Sequence, residues 1–408
     1  MAEPPADLEI RPLTPDDDPE GQLDLAERAF GTIPADQRER RLRSLPGHMA
    51  SGRNLGAFAG RQAAASATFH DMRQWWHGRQ VPMAGVAGVM VAPEYRGWGV
   101  GRRLMTALLD EIAARGYPLS ALYPATMPLY RSLGWELAGA RDTVVIPARS
   151  LLRLSPPDTA ASPGTAAPRE AVALRRAGPE DAAAVIATLG RVHRAARDCG
   201  PITRDAAMVA EWLADRDLYA YLAGDGFLAY RWQHHDLFVA NAEAASAQTI
   251  RALWTHVGSH ASIAGKIYAR TGPASAFWWL STERDADIAH RSRWMLRVVD
   301  APAAIAARGF PVAVSVRVVL RVDDSTRPAN SGLWDLAVAG GTATLSPLGP
   351  DLPASTAVSL GPRGLAALYA GTPVGTLRQA GLASGGTPAD DAALDAAFAA
   401  TPFMLDAF

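Results

Sequence analysis

The sequence predicts a multidomain chain that combines α/β and α+β parts, on three observations. Its 408 residues exceed what one hydrophobic core organises. The segment Ile10-Arg11-Pro12-Leu13-Thr14-Pro15-Asp16-Asp17 has a counterpart 164 positions later, Leu174-Arg175-Arg176-Ala177-Gly178-Pro179-Glu180-Asp181, as a tandem copy of one fold would produce. Beyond about Asp300 the texture changes to strands followed by helices, the order of an α+β domain. The expected divisions are 1–150, a Pro-rich linker at 151–171, 172–300 and 301–408.

Composition narrows the function classes. Hydrophobic residues make up 49% and charged residues 20%, with a net charge of −1 at pH 7, so no polybasic field points to nucleic acid or a membrane surface. A single cysteine, Cys199, excludes an internal disulfide and a Cys-based zinc site. The opening Met1-Ala-Glu-Pro-Pro-Ala-Asp lacks the charged and apolar regions of a signal peptide, and the longest apolar run, around Val81–Pro93, is too short to span a bilayer. A cytoplasmic protein is the expectation. Lys266 is the only lysine, a bias that with abundant alanine reflects a GC-rich genome rather than a function.

In chain order, Leu8–Arg11 reads as a strand, and Pro15-Asp16-Asp17 opens a capped helix through Leu23, Leu25, Ala26 and Phe30. The charge run Arg38–Arg43 suits a solvated helix face. Strands follow at Asn54–Phe58 and Ala63–Asp71. Val86, Val89 and Val91 then lie in an apolar run of strand length, which Pro93 ends by removing a backbone donor. Arg96-Gly97-Trp98-Gly99-Val100-Gly101 is a Gly-rich turn. From there Val100, Leu104, Leu108 and Ile112 fall four apart, the period of an amphipathic helix. Leu119–Tyr123 is a short strand, Met127–Leu133 a short helix, and Thr143–Pro147 a closing strand.

Strand, Gly-rich loop and helix N-terminus together make an anion cradle. Unpaired N–H groups and the macrodipole favour negative charge there, the glycines allow close backbone approach, and Arg96, Arg102 and Arg103 add full charges. Spacing selects the ligand. Gly101 is followed by Arg-Arg rather than the Lys-Ser/Thr of a P-loop, and Gly97-x-Gly99-x-Gly101 departs from G-x-G-x-x-G.

The second copy continues with a strand-like Gly226–Val239 and a helix-like Ala244–His260, without an R-x-x-G-x-G, so it is expected to be structural. In the third part Val312–Val322, Leu333–Val338, Thr342–Leu345 and Ala357–Leu360 read as strands, and Gly364–Tyr369, Val374–Ala380 and Ala389–Ala399 as helices. His256 and His260 have the spacing of a metal pair but no partner at ligand spacing; they are read as surface histidines, and no metal is expected. The chain ends Thr401-Pro402-Phe403-Met404-Leu405-Asp406-Ala407-Phe408, apolar to its last residue, as a tail that docks would be.

Arg96-x-x-Gly99-x-Gly101, directly after Val89-Met90-Val91-Ala92-Pro93, resembles the R/Q-x-x-G-x-G/A signature of the GCN5-related N-acetyltransferases. With Tyr130-Arg131-Ser132-Leu133-Gly134-Trp135 and the terminal Phe408, the three parts resemble over their whole length the Eis (enhanced intracellular survival) family. That resemblance implies two fused acetyltransferase-like (GNAT-like) domains, the second degenerate, then a sterol-carrier-protein-like domain, assembled as a homohexamer. It implies acetyl-CoA as the co-substrate, bound by Val89, Met90, Val91, Arg96, Gly97, Trp98, Gly99, Val100, Gly101 and Arg102, with Ala125 and Thr126 at the next strand end.

The reaction has definite needs. An amine attacking a thioester creates an oxyanion, for which the Val91 N–H at a splayed strand end is the candidate donor. The leaving thiolate needs a proton; Tyr130 matches the family's acid, with Tyr123 as the alternative phenol. By the same resemblance the α-carboxylate of Phe408 takes the amine's proton. A free one is a weak base, near pKa 3.5, until burial raises it; plugging an apolar hole is the other role open to Phe408. Acceptors implied are cationic amines: aminoglycosides, polyamines or lysine side chains. Phe30, Trp75, Trp76 and Asp406 are the candidate contacts, through cation–π attraction and ion pairing. Two other readings stay open, a non-catalytic lipid or ligand carrier or regulator, and an acyltransferase for a longer acyl group.

Overall fold

The computed structural model of the chain describes residues 8–154, 172–282, 284, 286–349 and 357–408. The opening heptapeptide and most of the expected linker, residues 155–171, lie outside them.

The first part runs β1 (Leu8–Pro12), α1 (Pro19–Phe30), α2 (Ala35–Ala50), β2 (Asn54–Ala59), β3 (Gln62–Trp76), β4 (Arg79–Val91), α3 (Val100–Ala114), β5 (Leu119–Leu122), α4 (Met127–Arg131) and β6 (Glu136–Pro147). Asp18 caps α1 by accepting from the Glu20 N–H, with Pro19 at the first helical position. β3 outruns its expected end at Asp71. The reason is a tight His77-Gly78 turn, both residues at positive φ (46° and 78°), which lets Trp75 and Trp76 pair with β4.

The second part runs β7 (Leu174–Arg176), α5 (Ala182–Ala196), β8 (Ile202–Thr203), α6 (Ala206–Leu213), β9 (Tyr219–Ala223), β10 (Gly226–Gln233), β11 (Asp236–Ala244), α7 (Ala247–Gly258), β12 (Lys266–Thr271), α8 (Phe277–Leu280) and β13 (Asp287–Val298). The single strand expected over Gly226–Val239 is a hairpin whose turn holds His234 at φ 58°.

The repeated opening segment has one physical role in both copies. Arg11 donates to both carboxylate oxygens of Asp17 (2.8 and 2.6 Å), and Asp17 also accepts the Thr14 N–H. Arg175 and Asp181 repeat the fork at 3.0 and 2.9 Å, and Asp181 accepts the Gly178 N–H. A bidentate pair fixes the strand-to-helix corner. The Arg11 hydrogen bond lowers the Asp17 pKa to about 2.

Among the described residues thirteen strands form one sheet, ordered β1-β2-β3-β4-β5-β13-β6-β12-β11-β10-β9-β7, with β8 on β3. The two halves exchange their last strands. β13, from the second, lies antiparallel between β5 and β6, while β6, from the first, pairs with β12. Within each half one strand pair is parallel, β4 with β5 and β11 with β12.

The third part packs beneath β13. It comprises α9 (Ala301–Ala307), β14 (Val316–Val322), β15 (Gly332–Ala339), β16 (Thr342–Pro347), β17 (Val358–Leu360), α10 (Pro362–Tyr369), α11 (Val374–Gln379), β18 (Ala383–Gly385) and α12 (Pro388–Phe398), with a sheet ordered β16-β15-β14-β17-β18. One apolar cluster joins Trp294 and Leu296 of β13 to Leu320, Leu336 and Leu365. Within it Arg297 and Asp324, both with fully buried side chains, form an ion pair of 2.7 Å, and Asn330 donates a further hydrogen bond to Asp324.

Candidate active site

β4 and β5 pair in parallel only from Met83–Leu119 to Val86–Leu122. β4 then carries a bulge between Ala87 and Met90, with Gly88 at φ 56°, and runs on to Val91 paired with β3 alone. The result is a V between two strand ends. Ala92 N–H donates to Ala64 on β3 at 2.9 Å. Antiparallel alternation therefore turns the N–H of Val91, one step back, towards the open side.

Beyond the V, Pro93–Tyr95 form one 3-10 turn and the Gly-rich loop enters α3. Gly97 and Gly99 have φ of 81° and 75°, so both need the left-handed region that glycine enters freely. Gly99 caps α3 without a side chain, leaving the first-turn N–H groups open. At Gly101 an added Cβ would approach Val91 Cγ2 to 3.2 Å. Arg96, Trp98 and Arg102 are exposed around the loop, as are Ala125 and Thr126 at the end of β5. Arg96 donates Nε to the Val91 carbonyl at 3.2 Å. Arg103 does not share the anion-facing role expected of it; its guanidinium donates to the Leu8 carbonyl at 3.2 Å.

Tyr130 lies on α4 with its ring in the cluster that holds Val86, Val100 and Leu122, against which Val89 and Val91 also pack. Burial raises its pKa, and the hydroxyl makes no hydrogen bond to another described residue. A phenol so placed stays protonated and keeps its proton to give.

The C-terminal tail enters between the two halves. Phe403 N–H donates to the Cys199 carbonyl, and Ala140 N–H to Pro402. Tyr123, the first residue after β5, shares its one hydroxyl hydrogen between the carbonyls of Met404 (3.0 Å) and Asp406 (2.9 Å). Arg270 holds the Leu405 carbonyl at 3.1 Å and Arg204 the Ala407 carbonyl at 2.7 Å. Arg204 also lies 3.3 Å from the Asp406 carboxylate. Phe408 comes to rest where β4 and β5 part. A Cβ on Gly85 would meet its ring at 3.0 Å, and Tyr123 presents its ring at 6.0 Å. His70 pairs with Gly85 across β3 and β4, and burial lowers its pKa to about 4.

The acceptor contacts fall apart. Trp75 and Trp76, expected among them, are 1% and 0% exposed and belong to the core. Trp75 donates to Thr203 and packs at a tilt near His193, tying β3 to the second half. Trp76 packs on Tyr369 and under the buried Arg308, tying β3 to the third part. Phe30 stands 64% exposed at the end of α1, and Asp406 is held by Arg204. His256 and His260 are half-buried in an aromatic group with Tyr221, Tyr230 and Trp232, not free on the surface. Sequence reasoning missed Arg204, Arg270, Gly85 and His70, which carry no local motif and meet the tail only in the fold.

A parallel pair that splays at a bulge, beside a Gly-rich helix N-terminus, defines an acetyltransferase of the GNAT class. Acetyltransferase (GNAT) domain models match residues 9–138 and 200–298, and a sterol carrier protein domain model matches 301–405. A crystal structure of a GCN5-related N-acetyltransferase from Kribbella flavida is 45% identical over 98% of both chains, with a TM-score of 0.91. Eis1 from Mycobacterium abscessus is 25% identical, covering 98% of this chain and 100% of that one, at TM-score 0.77. The N-acetyltransferase Eis of Mycobacterium tuberculosis is 28% identical over 72% of this chain and 73% of its own. The chain belongs to the GCN5-related N-acetyltransferases and is an Eis-like acetyl-transferring enzyme with two GNAT domains and a sterol-carrier-protein-like domain. Among the described residues no helix is long and apolar enough to cross a membrane.

Proposed function

We propose that the protein moves the acetyl group of acetyl-CoA to a primary amine of a cationic acceptor, of the aminoglycoside, polyamine or lysine side-chain kind, by direct attack in a ternary complex. One observation carries the reading: the chain's own C-terminal residue is seated at the fork of β4 and β5, against Gly85 and Tyr123.

Each residue then has a task. Gly97, Gly99, Gly101 and the open first turn of α3 take the diphosphate, with Arg96 and Arg102 for charge. Val89, Met90, Val91, Ala125 and Thr126 line the way to the thioester. The Val91 N–H donates to the carbonyl oxygen as it gains negative charge. The Phe408 carboxylate accepts the ammonium proton of the acceptor. The lone pair so freed forms the new C–N bond, the C–S bond breaks as Tyr130 gives its proton to the departing sulfur, and the second proton on nitrogen passes to the phenolate left behind. Tyr123, its hydroxyl committed to two tail carbonyls, is a positioning residue in this scheme.

The test is CoA release, followed with a thiol-reactive dye, against a panel of a polyamine, an aminoglycoside and a lysine peptide. Release with at least one cationic amine, and none with alcohols, is expected. No release with any amine would favour a carrier. The likeness to Eis also supports a homohexamer, which sedimentation tests.

A further inference from the structure

The second half keeps the frame of the first. β11 has its own bulge after Val239, and its pairing with β12 stops at Val239–Ala269 although β11 runs on to Ala244. A second V opens there.

This V is hollow. A cavity of about 370 Å³ is walled by Glu243, Arg270, Thr271, Asp198 and Cys199, with Phe403 of the tail across it. Its polar groups are unbalanced. Asp198 lies 2.9 Å and Glu243 3.8 Å from Nδ1 of His193, so two carboxylates share one imidazole. Burial alone would lower the His193 pKa, but the charge of Glu243 and the hydrogen bond to Asp198 outweigh it and raise the value. Burial raises the pKa of Glu243 as well, against the pull of His193 and of its Asn241 hydrogen bond, so two carboxyl groups face a single imidazole. Arg270 also stands on the wall; it donates to the Leu405 carbonyl and forms no ion pair with Glu243 or Asp198. Thr271, 2% exposed, has a hydroxyl with no hydrogen-bond partner among the described residues. A buried hydroxyl left without a partner is costly and calls for a ligand.

We propose that this second V binds a small primary amine as its ammonium cation, held by the carboxylates of Glu243 and Asp198 and the hydroxyl of Thr271, with its methylene stem against Phe403. An ammonium has three donors, and the cavity offers three acceptor groups. The site lies in the half of the molecule without the Gly-rich loop, so its occupancy is read apart from acetyl transfer.

Cys199 supplies the readout, being the only cysteine in the chain and part of the cavity wall. The full-length protein, without acetyl-CoA, is alkylated with N-ethylmaleimide over a titration of 1,4-diaminobutane. Saturating diamine should slow the reaction by about fivefold or more, as four-fifths occupancy requires. Glu243→Gln should abolish most of this protection. Thr271→Val should weaken it, and this variant removes no hydrogen bond made in the fold, so loss of folding does not confound it. Tyr130→Phe should be protected like the parent. No slowing, equal slowing in the Glu243 and Thr271 variants, or protection by zinc ions where the diamine fails would each overturn the proposal.

Discussion

The ring of Phe408 stands 6.0 Å from that of Tyr123, edge to face at 63°. The Tyr123 hydroxyl meanwhile holds the carbonyls of Met404 and Asp406, so one side chain sets both the course of the tail and its end. Residues added after Phe408 would displace the α-carboxylate proposed as the base. Turnover of such an extended protein should fall by about 10²-fold or more, the range of a lost general base, with acetyl-CoA affinity unchanged. Tyr123→Phe should fall less in turnover and lower stability by about 1 kcal/mol through the lost hydrogen bonds. Steady-state rates and thermal unfolding check both.

Tyr130→Phe keeps the packed ring and removes only the proton. Turnover should drop by about 10²–10⁴-fold while calorimetry finds acetyl-CoA bound as tightly as before. Unchanged turnover would move the acid elsewhere.

Gly99 sits at φ 75° as the cap of α3, where any side chain is strained. Gly99→Val should cost roughly 1–2 kcal/mol locally and weaken acetyl-CoA binding by about tenfold or more, because the first-turn N–H groups shift with the loop. Calorimetric titration with CoA reads this directly, and an unaltered affinity would detach the loop from the diphosphate.

Arg297 and Asp324 have no solvent to fall back on. Asp324→Ala leaves a buried guanidinium unpaired and should destabilise the protein by about 3–5 kcal/mol in denaturant melts. Its effect on activity at low temperature should be small, since neither residue touches the V.

His70 has a folded pKa of about 4, lowered first by burial and then by nearby cations, against an ordinary value of 6.5. The unfolded chain therefore binds the extra proton between those two values, so stability is full above pH 6.5 and declines as pH falls towards 4. His70→Gln should flatten that part of the stability–pH curve by about 2 kcal/mol, measured by urea melts at pH 7 and pH 5.

Local patterns were legible and distant pairings were not. The order strand, Gly-rich loop, helix could be read at Val86–Ile112 because each signal lies within a few residues of the next. The apolar tail was legible too, and Met404 and Leu405 are buried. Its anchors were not, since Arg204 and Arg270 reach it from well over a hundred positions away. Trp75 and Trp76 misled for a related reason. Composition shows an aromatic pair, but only the third part and the second half, arriving on β3 from elsewhere, turn it into core. The strand exchange left no trace either, because β6 and β13 each have ordinary strand sequences and only their partners are unusual.

That exchange bears on how the molecule comes into being. The sheet of the opening half has a gap between β5 and β6 until β13 arrives, so it stays incomplete until residue 298 has been synthesised. A fragment ending near residue 150 would expose the unpaired edge of β5 and invite a second chain to supply the missing strand.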